Sequence, residues 1–296
     1  MDAAPPSRAA QVLRDARRAV ILTGAGVSAE SGVPTFRDDL TGLWAQFDAE
    51  RLATPEAFHA DPDLVWGWYE WRRARVRAAE PNPGHRAIAA IQDRIPDSVV
   101  ITQNVDDLHE RAGTRSAIHL HGSLFAPRCV SEARHPATFP DARDGEVAGP
   151  DEGRRIPPPR CATCGWLVRP GVVWFGEALP EAALAAAVEA AAACDVLLAV
   201  GTSGVVYPAA AIPAIAGESG ATVIQVNPEP TPLDRVCDIN LRGTAGQILP
   251  TLVTAGWGAD QQPAGSRGRQ GGAQPSGVRP LVSERKLWPS SSPRPK

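Results

Sequence analysis

The sequence predicts an α/β protein built on a doubly wound parallel sheet. Three observations carry that expectation: apolar runs that end in small or polar residues, helix-forming segments between those runs, and a glycine-rich turn directly after the first of them. A strand buried on both faces reads as a continuous apolar run rather than as an alternation. A short helical segment at 9–18 leads into the first such run, "AVILTGAG" at 19–26. "SVVITQN" (98–104), "CDVLLAVGTS" (194–203) and "ATVIQVNPE" (221–229) repeat the pattern. Helices are expected over "NPGHRAIAAIQDRI" (82–95) and the alanine-rich "PEAALAAAVEAAAA" (180–193). Because each run ends in groups that can bind something, a ligand crevice is expected along the carboxyl edge of the sheet.

Two segments break the alternation and predict a smaller module. Residues 36–80 hold Trp44, Trp66, Trp68, Tyr69 and Trp71, mostly at helical spacing, and read as a helical insertion. Residues 126–170 hold the clustered cysteines and many prolines; within them "DARDGEVAGPDEGRRIPPP" reads as a mobile loop. The sheet domain is thus assigned to 1–35, 81–125 and 171–257, and the module to 36–80 and 126–170. From 258 to 296 the chain is Gly, Pro, Ser and Arg without periodicity, the composition of a disordered tail.

Composition narrows the class. An apolar fraction of 43% is that of a globular protein, and a net charge of -3 offers nothing to nucleic acid or to an acidic membrane surface. The N-terminus lacks the basic start and apolar core of a secretory leader, and no apolar stretch has the length and character of a membrane span. Five cysteines, two of them in a Cys-x-x-Cys pair, suit a metal site in a reducing compartment better than a disulfide framework, so the expected location is the cytoplasm. Nothing in the sequence bears on oligomeric state.

The motifs that carry chemistry lie at the ends of the apolar runs. In "GAGVSAESGVPTFRD" (24–38), Gly24, Gly26 and Gly32 follow a strand; such glycines let backbone amides approach a pyrophosphate, or simply make a tight strand-to-helix connection. The spacing is not the dehydrogenase fingerprint G-x-G-x-x-G, because position 29 is Ala, so hydride transfer is poorly supported. "TQNVDDLHERAG" (102–113) places Gln103, Asn104 and Asp106 at a strand end, where they suit a carboxamide and a ribose hydroxyl; Asp106 or Asp107 also suits a helix cap. "HLHGSLF" (119–125) supplies His121 as a candidate general base, with His119 as its rival two residues away. "RPGVVWFGEALP" (169–180) is an extended run able to pair with a bound peptide or to serve as a buried connection. Cys161 and Cys164 form the Cys-x-x-Cys pair; Cys129 stands alone, with Glu132 where a second cysteine would complete another pair.

This ordered series, completed by "GTS" at 201–203 and "VNPEP" at 226–230, resembles the sirtuin family of NAD-dependent protein lysine deacylases from about residue 10 to 256. The resemblance implies a Rossmann-like NAD-binding domain with a small zinc-carrying module. It assigns the pyrophosphate to Gly24, Ala25 and Gly26, with Ser28 and Arg37 near the phosphates and nicotinamide ribose. Ala29, Phe36, Gln103, Asn104 and Asp106 fall on the nicotinamide and ribose pocket. Thr202, Ser203 and Asn227 fall on the adenosine half, with Gly201 and Ala245 also counted among cofactor-binding positions. His121 matches the general base, with Asn104 beside it as a catalytic position, and Val172, Trp174 and Phe175 match the segment that lines the acylated-lysine peptide. In the implied reaction NAD is consumed: the acyl oxygen attacks the ribose carbon as nicotinamide leaves. The product of that attack is an alkylimidate; His121 then takes a proton from a ribose hydroxyl, which attacks the imidate carbon, and water completes release of free lysine and O-acyl-ADP-ribose.

Tyr69 and Arg72 match the Tyr-x-x-Arg pair of class III sirtuins, which remove succinyl and malonyl groups. Three residues apart on a helix, they share a face, and a guanidinium holds a carboxylate bidentately with the phenol as a second donor. Acetyl removal stays open beside this preference. The same family usually carries two Cys-x-x-Cys pairs around a structural zinc, so Cys129, Cys161 and Cys164 imply one, with Glu132 or His135 as fourth ligand, or a site that has lost its metal. Two other functions stand against the deacylase: a mono-ADP-ribosyltransferase on the same scaffold, and a non-catalytic sensor of NAD or ADP-ribose.

Overall fold

The computed structural model describes residues 5–33, 48–131 and 155–258, all within one compact unit, Met1–Gln261. The chain opens with α1 (Pro5–Asp15) and β1 (Arg18–Thr23), and turns through glycines into the single-turn α2 (Gly26–Ala29). After α3 (Ala49–Leu52), α4 (Pro55–Ala60) and the long α5 (Pro62–Ala78) come α6 (Pro83–Arg94), β2 (Asp97–Thr102), α7 (Leu108–Arg111) and β3 (Ile118–His119). A hairpin of β4 (Arg128–Cys129) and β5 (Val168–Arg169) precedes α8 (Glu181–Ala193), β6 (Val196–Val200), α9 (Ile212–Glu218), β7 (Thr222–Val226), β8 (Ile239–Leu241) and α10 (Ala245–Trp257). Phe36, Arg37, Glu132, His135, most of the proline-rich loop and the tail from 259 lie outside the described residues.

The main sheet is parallel throughout and runs β3-β2-β1-β6-β7-β8. The strand order reverses between β1 and β6, and at such a switch point the connections leave in opposite directions and open a crevice at the carboxyl edge. Successive side chains of a strand point to opposite faces. Ile21 of β1 and Val196, Leu198 and Val200 of β6 pack with α1, α6 and α10, whereas Val20, Leu22, Leu197 and Ala199 pack with α8 and α9. That two-sided burial is why these runs lack a polar alternation.

The strands are shorter than the apolar runs at their carboxyl ends. The run at 98–104 ends as strand at Thr102, which frees Gln103 and Asn104 for the crevice loop. Three successive helices, α4, α5 and α6, begin at side-chain caps: Thr54 accepts from Ala57 N at 3.1 Å, Asp61 from Leu64 N at 3.1 Å, and Asn82 from Gly84 N at 2.8 Å. Each such cap stabilises a helix by about 1 kcal/mol. Asn82 also reaches across to the glycine turn, where its amide donates to Val27 O at 2.7 Å and Ser31 Oγ at 3.0 Å.

A second core joins the helical insertion to the loops that follow β3 and β5. Trp68, Tyr69 and Trp71 of α5 are buried with Phe58, Leu124, Val172 and Trp174. Trp66 turns instead toward Cys129, Cys161 and Val168 of the hairpin. The buried Arg73 lies over the Trp66 ring at 4.6 Å and pairs with Glu70 at 2.6 Å, so its charge is not left alone in the interior. Among the described residues no helix is long and apolar enough to cross a membrane.

Candidate active site

The glycines of the first turn are required by a crossing of two backbones. A Cβ on Gly24 or on Gly26 would lie 2.8 Å from Gly201 O, and one on Gly201 would lie 2.6 Å from Val27 N. Gly201 also has a φ of +59°, in the left-handed region. Gly24 N donates to Val200 O at 3.0 Å and Gly26 N to Gly201 O at 2.9 Å. These two amides therefore tie the turn after β1 to the turn after β6, rather than standing open to a ligand as the glycine pattern alone suggests. Ala25 and Ala29 are exposed on the crevice side of the same turn.

Behind this turn sits a buried polar cluster drawn from two motifs. Ser28 Oγ donates to Asp106 Oδ2 at 2.9 Å and accepts from Asn104 Nδ2 at 3.0 Å. Asp106 Oδ1 accepts from Leu108 N at 3.1 Å, so the carboxylate serves the cluster and the start of α7 together. Burial pushes the Asp106 carboxyl above its ordinary range, against the pull of those two hydrogen bonds. Gln103 Nε2 donates to Thr202 Oγ1 at 2.9 Å, and Asn227 Nδ2 to Thr202 O at 2.9 Å, which joins the ends of β2, β6 and β7 along the crevice. Ser203 is half-buried beside them. Ala245 is buried at the first turn of α10 and packs against Gly84, where a Cβ would come within 2.8 Å of it.

His121 is half-buried just beyond β3, and its Nδ1 lies 2.9 Å from Gln103 O. A carbonyl can only accept, so Nδ1 carries the proton and Nε2 keeps its lone pair. Burial lowers the His121 pKa and favours that neutral form. His119 is committed elsewhere: its Nε2 pairs with Glu110 at 2.8 Å and its Nδ1 contacts Asn104 O at 3.2 Å, and the Glu110 contact raises its pKa. Of the two rivals, only His121 combines a set tautomer with an available nitrogen.

Two further histidines were not legible as part of this site. His85 Nε2 lies 3.4 Å from Ser28 Oγ, His109 Nε2 lies 2.9 Å from Thr23 Oγ1, and the two rings meet edge-on at 5.0 Å. Burial holds both neutral, with pKa values lowered to about 3 for His85 and about 4 for His109. The signal was a histidine in the first turn of each helix, on the side that faces the sheet. Glu30 was missed as well: it accepts from Thr244 Oγ1 and Gly246 N, both at 2.8 Å, and so pins the glycine turn to the start of α10.

The segment 171–177 forms the opposite wall. Val173 N donates to His121 O at 2.8 Å, Phe175 N to Ala53 O at 2.9 Å, and Gly122 bridges Val172. Val172 and Trp174 are buried, whereas Phe175 is 45% exposed. Trp174 Nε1 donates to the Tyr69 hydroxyl at 2.9 Å, which joins this wall to α5. Burial pushes the Tyr69 phenol up to about 12. Arg72, one turn further along α5, lies over the Trp68 ring at 5.1 Å, and burial lowers its pKa against the pull of Tyr69 and Asp106.

Cys129, Cys161 and Cys164 come together in the hairpin with their sulfurs within 4.8 Å of one another. Cys161 N bonds Trp166 O and Gly165 N bonds Cys161 O, both at 2.8 Å, so a tight turn carries the second pair. Three thiols at this separation fit zinc, which takes thiolates at tetrahedral corners.

Comparison with known proteins gives a consistent picture. The Sir2 family model matches residues 24–208. NAD-dependent protein deacylase 1 of Pseudomonas aeruginosa is 61% identical over 243 residues, covering 82% of this chain and 96% of its own. The NAD-dependent protein deacylase of Mycobacterium tuberculosis is 53% identical over 236 residues, or 80% and 96% of the two chains. Among solved structures, a Sir2 homologue in complex with NAD superposes with a TM-score of 0.73 at 46% identity, over 83% of this chain and 91% of that one. Sir2Af2 bound to a myristoylated histone peptide superposes with a TM-score of 0.66 at 36% identity, over 85% and 95%.

Proposed function

The chain belongs to the Sir2 family and is an NAD-dependent protein deacylase; from that premise we propose how its residues divide the work and which acyl group they prefer. NAD, the second substrate, lies in the crevice with its pyrophosphate against the turn of Gly24, Ala25, Gly26 and Ser28, where the Gly24 and Gly26 amides brace the turn and the small residues let the ligand approach. Its adenosine half lies toward Gly201, Thr202, Ser203, Asn227 and Ala245. Gln103, Asn104 and Asp106, with Ala29, Phe36 and Arg37, surround the nicotinamide and its ribose. The short contacts among Ser28, Asn104 and Asp106 support this, because a network already formed needs no reorganisation on binding.

His121 takes a proton at Nε2 from a ribose hydroxyl once nicotinamide has left. The Nδ1–Gln103 contact and the lowered pKa support the role, since a base must arrive unprotonated. The substrate is an acylated lysine of a protein or peptide, laid along Val172, Trp174 and Phe175. Cys129, Cys161 and Cys164 hold a structural zinc, with Glu132 or His135 as fourth ligand; the metal braces the hairpin and takes no part in the chemistry. None of the five cysteines is joined in a disulfide, which supports a cytoplasmic location.

The preferred acyl groups are succinyl and malonyl, with acetyl a slower substrate. One observation carries this reading: Tyr69, one turn before Arg72 on α5, is hydrogen-bonded to Trp174, whose neighbour Val173 is bonded to His121. A carboxylate between Tyr69 and Arg72 would thus sit on the wall that also holds the base. Hydrogen bonds to a charged group contribute about 1.5–3 kcal/mol, or roughly 10–100-fold in selectivity. The test is a set of matched acetyl-, succinyl- and malonyl-lysine peptides incubated with NAD, with products identified by mass. Succinyl and malonyl peptides should show the higher kcat/KM and yield O-acyl-ADP-ribose. A preference for acetyl would refute the acyl assignment, and ADP-ribose attached to protein would favour a transferase.

A further inference from the structure

We infer that Trp174 sets acyl specificity by occupying the acceptor side of the Tyr69 hydroxyl, which leaves that hydroxyl only its proton to offer the substrate. The inference rests on the acyl-pocket reading above and adds a positioning residue to it.

The direction of the Trp174–Tyr69 bond is not open to choice. An indole Nε1–H can donate and cannot accept, so at 2.9 Å the phenol oxygen is the acceptor. The phenol then has one hydrogen to place. Tyr69 is 1% exposed, and among the described residues no acceptor meets that hydrogen. A buried donor without a partner is unfavourable by about 1–3 kcal/mol. An acyl chain that ends in a carboxylate, a group that only accepts when ionised, supplies the missing partner. An acetyl group does not. Without the indole N–H, the phenol could turn and accept as readily as it donates, and its preference for an acid would weaken.

Trp174 is itself held from three sides. The Arg169 guanidinium lies 3.3 Å from the centroid of the Trp174 ring. Arg169 grips both oxygens of Glu177, at 2.5 and 2.9 Å, and donates to Val172 O at 3.1 Å. Glu177 Oε2 accepts from Trp174 N at 2.9 Å and pairs with Arg128 of β4 at 3.2 Å, while the Phe58 ring packs at 5.4 Å. Arg169 belongs to β5, whose Val168 pairs with Cys129. The clasp therefore runs from the cysteine hairpin to the tip of the acyl pocket, and it fixes the direction of one proton there.

The experiment compares kcat and KM for succinyl- and acetyl-lysine peptides in the full-length protein. Trp174→Phe removes the N–H, and 3-benzothienylalanine at 174 replaces it with sulfur while keeping the bicyclic ring, should the Phe variant fold poorly. Both changes are made in the native protein and in Tyr69→Phe. In the native background the ratio of succinyl to acetyl kcat/KM should fall about tenfold, through the KM of the succinyl peptide, as expected for one lost hydrogen bond to a charged group. In the Tyr69→Phe background it should fall no further. A ratio that stays unchanged, or that falls equally in both backgrounds, overturns the inference. Arg72→Met run alongside separates the two readings. If it leaves the ratio unchanged, the acyl pocket itself is wrong and the inference falls with it. If it lowers the ratio while the Trp174 variants do not, only the role of Trp174 is lost.

Discussion

The crevice and the hairpin module are built in opposite ways. Every group in the crevice sits within a few residues of the end of a parallel strand, and short contacts tie neighbouring strand ends together, as Gln103 does with Thr202. The module instead joins side chains from distant parts of the chain: Tyr69 meets Trp174 across 105 positions, and Cys129 approaches Cys164 across 35. Sheet pairing dictates the first arrangement, so a change there has nowhere to relax. Packing of aromatic and arginine side chains maintains the second, and such packing tolerates substitution at modest loss. On the proposed assignment, the reaction belongs to the rigid region and acyl selectivity to the adaptable one.

The sharpest way to break this comparison is His121→Ala. Turnover should fall by about 10²–10⁴-fold, the usual contribution of a general base, while NAD binding measured by calorimetry persists. Near-normal turnover would remove His121 as the base and with it the claim that the crevice holds the chemistry. Next comes Gly201→Ala, which adds a methyl 2.6 Å from Val27 N at a position with positive φ. Urea denaturation should show a loss of about 2–4 kcal/mol; a loss below about 1 kcal/mol would mean the turn can shift after all. Cys161→Ser probes the module. Bound zinc, measured by metal analysis, should drop below that of the native protein and the melting temperature should fall by about 2–8 °C, with residual deacylation still dependent on His121. An unchanged melting temperature would show that the hairpin stands without metal.

The smallest effect concerns pH. Burial lowers the His121 pKa from 6.5, so the protonated, inactive form accumulates only at a pH below that value. The acid limb of kcat/KM should accordingly have its midpoint below 6.5. A midpoint above it would mean that another group limits the rate or that His121 is stabilised in its charged form.

The parts of this molecule that could be read from its sequence follow the same division. The four apolar runs named the four central strands and placed Gln103, Asn104, Thr202 and Asn227 at their ends, because a buried parallel strand has an unmistakable composition. The two- and three-residue strands β3 and β8 went unseen, since a strand so short has no period to detect. The glycine pattern left a pyrophosphate site and a tight connection both open, and only the fold shows the Gly24 and Gly26 amides spent on Val200 and Gly201. His85 and His109 carry no local signal of their partners, because only the tertiary fold brings them to Ser28 and Thr23. The indole–phenol bond of the module could not be foreseen either, for no local pattern links residue 69 to residue 174.

The Glu30 contact bears on the order in which the protein can be made. Its carboxylate binds Thr244 and Gly246, more than two hundred residues downstream, and β1 itself lacks one flanking neighbour until β6 has been synthesised. Until β6 has been made, β1 can pair only with β2, and the crevice lacks the strand ends that Gly201, Thr202 and Asn227 supply. The brace between the glycine turn and α10 is therefore the last of these contacts to become available, because its two donors lie at residues 244–246.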